Sequence, residues 1–230
     1  LGVLAAVLAL TLAGARRLGE PARSRLSRGF ALVLLAYLLG SFAYYARQGD
    51  PIATLLPLHL CDSLFVTAAW MLWTRSRLAF ELTYFWTLGG TLQALATPDV
   101  AEGFPHWRFC LFFATHALPV LAALWGVFVF RLRPAPRSIW RAWLGLNVLA
   151  AIAALANWAL GTNFLFLRAK PAGASLLDWL GPWPWYLVTV EALALVSFAF
   201  WYLPFARPRR LPLAPPRASD AGVGREGPVP

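Results

Sequence analysis

The sequence predicts an all-α fold, a polytopic transmembrane helical bundle of seven spans with its N-terminus outside and its C-terminus in the cytoplasm. Three observations lead there. The 230 residues are 60% hydrophobic and only 13% charged, with a mean hydropathy of +0.61, more apolar surface than a soluble core of this size can hide. Apolar runs near the length a bilayer demands recur at 1–15, 29–46, 53–73, 78–96, 109–130, 140–160 and 185–205. When the connections are assigned alternately to two sides, 16 of the 20 Lys and Arg residues fall on one of them. That asymmetry is the positive-inside signature, and it puts the C-terminal tail in the cytoplasm. The net charge of +10 therefore reads as topology with attraction to anionic lipid, and no nucleic-acid partner is expected.

The first run has no basic stretch before it, and Arg16 follows where a cleavage site needs small residues, so it reads as a span and not as a signal peptide. The numbering opens at Leu1 and the only Met is Met71, so this span is expected to lack residues that precede it. The third run contains LLPLHLCDSLFVTAAWMLW at 55–73, apolar enough for lipid yet carrying Pro57, His59, Cys61 and Asp62 close together. Ionisable groups at membrane depth are costly and usually face a bundle interior or a watery cavity. Pro57 lacks a backbone donor and is expected to loosen a helix one turn above Cys61.

The fourth run carries Thr83, Thr87, Gly90, Thr91 and Ala94 at three- and four-residue spacing, a pattern for close helix packing whose hydroxyls can line a cavity as a secondary role. Glu81, near its inner end, is expected to pair with a basic group such as Arg75 or Arg77. Before the seventh run, Gly161 is expected to end a helix, Ser175 with Asp178 fits a capping box, and Trp179, Trp183, Trp185 and Tyr186 read as an aromatic belt at the outer interface. Residues 1–205 thus form one transmembrane domain. The basic, Pro-rich tail at 206–230 is expected to be a disordered cytoplasmic segment.

Depth groups the polar residues. Runs three, five and seven all lead inward, and at about 1.5 Å per residue Cys61 and His116 both fall about 10 to 12 Å below the outer boundary. Glu191 enters at similar depth on the seventh run, while Gln93 and Asn157 lie near the outer ends of the fourth and sixth. His59, Cys61, Asp62, Gln93, His116, Asn157 and Glu191 therefore share the outer half of the membrane. Helical spacing lets His59 pair with Asp62 but turns it away from Cys61, so a base for Cys61 has to come from another helix. His116 is the best-placed one. Two readings stand at this point: a Cys nucleophile with a His base, or a buried Cys acting as a small hydrophobe beside a structurally bonded His. Glu191 reads as a group that orients a His or stays protonated. His59, Asp62 and His116 lack the close spacing of a metal site, and neither a metal nor another cofactor is expected.

Several strings carry a resemblance in order along the chain: HLCD at 59–62, ELTYFW at 81–86, GGTLQALATPD at 89–99, FPH at 104–106, His116, and KPAGASLLDWLGPWPWYL at 170–187. Together, over 55–205, they resemble the YwaF-like integral membrane family, which includes the eukaryotic transmembrane protein 164. That resemblance implies an acyltransferase acting on phospholipids through a Cys and a His. It also implies kinship with the androgen-induced hydrolases of fatty-acid esters, whose Thr is replaced here by a Cys. By motif, the Cys is Cys61 and the His is His116. The expectation is a lipid acyltransferase or lipid ester hydrolase in a bacterial plasma (inner) membrane with membrane phospholipids as partners. In that expectation Gln93 or Asn157 polarises the oxyanion, and His59 with Asp62 shapes the site. The competing expectation is a non-enzymatic transporter or receptor-like protein holding a small solute in the same cavity.

Overall fold

The computed structural model describes residues 2–49, 51, 55–92, 95, 103–171 and 175–206. Among them all regular structure is helical: α1 (Gly2–Arg17), α2 (Glu20–Arg47), α3 (Leu60–Thr74), α4 (Arg77–Trp86), α5 (Trp107–Phe128), α6 (Pro136–Leu160) and α7 (Trp185–Ala206), with a π turn, Thr87–Thr91, continuing α4. These follow the seven apolar runs in order. Four of them, α2, α5, α6 and α7, are long and apolar enough to cross a membrane. The expected disordered tail from 207 onward and Gln93 lie outside the described residues.

The apolar residues are distributed as lipid requires. Leu39, Leu155 and Val196 stand 65%, 64% and 66% exposed on the outer faces of α2, α6 and α7, an arrangement that water would penalise over so large a surface. The inside is built on α3 and α4. Helix α3 packs against α2, α4 and α5, and α4 against α6 as well, with every residue from Ala79 to Trp86 buried. Ser76 opens α4 by accepting the Ala79 N–H at 3.4 Å, and Pro136 opens α6 in the first turn, where a missing donor costs nothing.

Polar tips of aromatic residues knit the bundle. Trp125 Nε1 donates to Ser27 Oγ at 3.0 Å, Trp86 Nε1 to the Ala142 carbonyl at 2.9 Å, and Tyr84 to the Trp201 carbonyl at 2.9 Å. Each joins two helices while satisfying a group that lipid could not. Glu81 is fully buried. Ser138 donates to it at 2.6 Å, and Arg77 and Arg141 approach at 3.3 and 3.4 Å. Arg77 is thus a partner, as expected, whereas Arg75 turns instead to Glu20.

Three expectations change. The helix expected through 53–73 begins only at Leu60, so Pro57 does not loosen a helix above Cys61; it precedes one. Proline disfavours helical backbone in Leu56 before it; His59, two residues on, is extended at φ −74° and ψ 148°, and Ser63 donates to the Pro57 carbonyl at 2.9 Å. Tyr186 is also not part of an exposed belt. It is 1% exposed and its hydroxyl reaches the Phe166 carbonyl, while Trp179, Trp183 and Trp185 remain outward. The helix end at Gly161 forms as read, with φ +71°. At 175–178 Asp178 accepts the Ser175 N–H at 2.8 Å, but the Ser175 hydroxyl has no partner among the described residues, so only half of the capping box is made.

Candidate active site

The late start of α3 decides what surrounds Cys61. With His59 as the residue before the first turn, Cys61 and Asp62 sit at the second and third positions of the helix, where backbone N–H groups have no intrahelical acceptor. The first bond of that kind runs from the Ser63 N–H to the His59 carbonyl at 3.0 Å. Cys61 is exposed at this end. It opens onto a cavity of about 160 Å³ between α2, α3, α5 and the π turn.

Opposite, α5 brings Thr115, His116 and Pro119 to the same cavity. The His116 Nδ1 lies 2.9 Å from the Phe112 carbonyl, and the Phe112 ring stacks on the imidazole with centroids 4.2 Å apart. A carbonyl can only accept, so in the neutral ring Nδ1 carries the proton and Nε2 keeps its lone pair. Pro119 supplies no N–H to the Thr115 carbonyl one turn back. A thiol and an imidazole whose Nε2 has no partner among the described residues thus line one cavity, the residue types that nucleophilic acyl chemistry uses.

The other expected residues divide. Asp62 lines the cavity with Cys61. His59 does not; its ring packs on Phe164 and Phe166 with centroids 5.3 and 5.6 Å away, and it makes no hydrogen bond with Asp62. Asn157 is buried elsewhere, its amide spent on Thr162 and on both backbone groups of Phe164. Glu191 accepts from Asn147 at 3.1 Å on the α6–α7 side. The structure therefore brings Cys61, Asp62 and His116 together and leaves His59, Asn157 and Glu191 outside this cavity.

Sequence reading passed over the α2 wall. Tyr37, Ser41 and Tyr45 all line the cavity, spaced four residues apart on one helical face, and the Tyr37 ring packs on Phe65 at 4.9 Å. That polar-tipped stripe in an otherwise apolar span was the available signal.

A sequence profile described as the TMEM164 family matches residues 1–202. The chain belongs to the TMEM164 family. The resemblance read from HLCD and the strings that follow it thus extends over nearly the whole described chain, and with the outward apolar faces of α2, α6 and α7 it makes this TMEM164-family chain an integral membrane protein. An uncharacterized protein of Treponema pallidum (strain Nichols) is 33% identical over 151 residues, which are 65% of this chain and 62% of that protein. The match thus spans less than two thirds of the relative's length. No solved structure matches.

Proposed function

We propose that this TMEM164-family protein is a membrane-embedded lipid acyltransferase or lipid ester hydrolase, working in the outer half of a bacterial plasma membrane through Cys61 and His116. The observation that carries the proposal is their convergence on one cavity, with Nδ1 of His116 occupied and Nε2 left basic. Nε2 takes the thiol proton as the sulfur attacks the ester carbonyl of a phospholipid, and the carbonyl π pair moves to oxygen. When the tetrahedral intermediate collapses, the leaving alkoxide takes that proton from His116, and a thioester remains on Cys61. A second alcohol or water then enters, gives its proton to Nε2 and bonds to the acyl carbon, and as the C–S bond breaks the departing sulfur recovers that proton from Nε2.

Intact mass spectrometry of the purified protein after exposure to phospholipid tests this directly. An acyl adduct is expected in the wild type, none in Cys61→Ser, and acylation slowed about 100- to 10,000-fold in His116→Ala. A protein that gains no adduct, yet binds a small solute equally well as wild type and as Cys61→Ser, would replace the enzymatic reading with solute binding.

A further inference from the structure

Thr91 ends the π turn that continues α4, and it faces the cavity with Cys61 and His116. Its side chain is only 2% exposed, and its hydroxyl has no hydrogen-bond partner among the described residues. The Thr83 and Thr87 hydroxyls of this segment are likewise buried without a partner among the described residues, but of the three Thr91 alone lines the cavity, so a group in the cavity can supply the bond it forgoes. The backbone brings it there. Gly90 lets the π turn approach α3 so closely that a Cβ on it would lie 2.9 Å from Leu60 Cδ2, next to Cys61 in the chain. Single π turns inside helices recur at functional sites, because the extra residue re-aims the side chains around it.

On the other side of the same cavity, the N–H groups of Cys61 and Asp62 precede the first intrahelical bond of α3, and the His59 side chain does not cap them. Among the described residues, N–H groups without an intrahelical acceptor, at the positive end of a helix dipole, and an unpartnered hydroxyl thus belong to the lining of the cavity that holds the sulfur. We propose that Thr91, with the first-turn N–H groups of α3, forms an oxyanion hole for the tetrahedral intermediate on Cys61, a role for which sequence offered Gln93 or Asn157. The inference rests on the acyl-enzyme reading above. Thr91 Oγ1 donates to the former carbonyl oxygen as its negative charge develops, and the bond is released when the C=O re-forms on the thioester; no further reactant is needed.

The test separates chemistry that passes through an oxyanion from chemistry that does not. Detergent-solubilised wild type, Thr91→Val and Thr91→Ser are each treated with p-nitrophenyl octanoate, following the nitrophenolate burst, and separately with iodoacetamide, whose displacement at carbon forms no oxyanion. The expected result is a burst slowed about 100-fold or more in Thr91→Val, near-wild-type in Thr91→Ser, and Cys61 alkylation equal in all three. An undiminished burst in Thr91→Val overturns the oxyanion role and leaves the acyl-enzyme intact. So does a Thr91→Ser burst as slow as that of Thr91→Val, which traces the effect to the methyl group, or a parallel fall in alkylation, which marks a rearranged cavity. A wild type that alkylates on Cys61 but gives no burst overturns the acyl-enzyme reading, and the oxyanion hole with it.

Discussion

At the scale of single residues, His116 is oriented by a backbone carbonyl in the place where hydrolytic triads use a carboxylate. This gives Asp62 a limited part, although it shares the cavity. Removing the carboxylate of a Ser-His-Asp triad costs about 10,000-fold because the imidazole adopts the wrong tautomer; here the tautomer is held independently. Asp62→Asn is therefore expected to keep its acylation burst within roughly tenfold of wild type, on the same scale on which a lost triad carboxylate is counted, and a loss near that of His116→Ala would show that the carboxylate, and not Phe112, sets the ring. Cys61 and His116 stood out in the sequence as ionisable groups in apolar runs, and they line one cavity although the depth count from 53 does not hold for a helix that begins at Leu60. Counts give no azimuth, and so Asn157 and Glu191, at suitable depth, turned out to serve the 161–164 turn and Asn147 instead. Tyr37 and Tyr45 escaped notice for the opposite reason: an aromatic residue in an apolar span already has a sufficient role in lipid-facing packing.

At the scale of elements, hydropathy reports where chain lies in lipid but not where a helix begins. The third run reads as continuous from 53 to 73, and only the backbone demands of Pro57 and the extended His59 show that α3 starts at Leu60. That shift moves Cys61 from mid-helix to a first turn whose N–H groups have no intrahelical acceptor. The helices around it tolerate little adjustment. In α5, a Cβ at position 126 would meet the Phe80 ring at 2.5 Å and Met71 Sδ at 3.0 Å. Gly126→Ala is expected to lower stability in detergent by about 1–3 kcal/mol, seen as a depressed melting temperature, whereas an unchanged one would mean that α4 and α5 can part without cost. The small residues of the fourth run announced close packing in the sequence; the π turn they accompany did not, since its i to i+5 bonding has no distinct periodicity over five residues.

For the whole molecule, the distribution of Lys and Arg predicts an orientation that can be tested with a cysteine already present. Cys110 is exposed near the start of α5, at the end that the positive-inside rule turns outward. In a Cys61→Ser background, a membrane-impermeant maleimide is expected to label Cys110 on intact cells; labelling only after lysis would invert the topology. The seven-run reading and the expected orientation come from composition and charge alone, whereas the partners that cross the bundle do not. The Glu81 cluster illustrates this, since its serine and one of its arginines come from a helix two spans later. It also bears on how the protein is made. Ser138 leaves the ribosome 57 residues after Glu81, roughly 3 to 11 s later at ordinary elongation rates. During that interval a short helix, destined to be enclosed, holds a carboxylate with Arg77 alone of its three partners yet made. An α4 placed in lipid before α6 would hold that carboxylate without Ser138 and Arg141, so the order in which the helices are made bears on folding as the finished packing does.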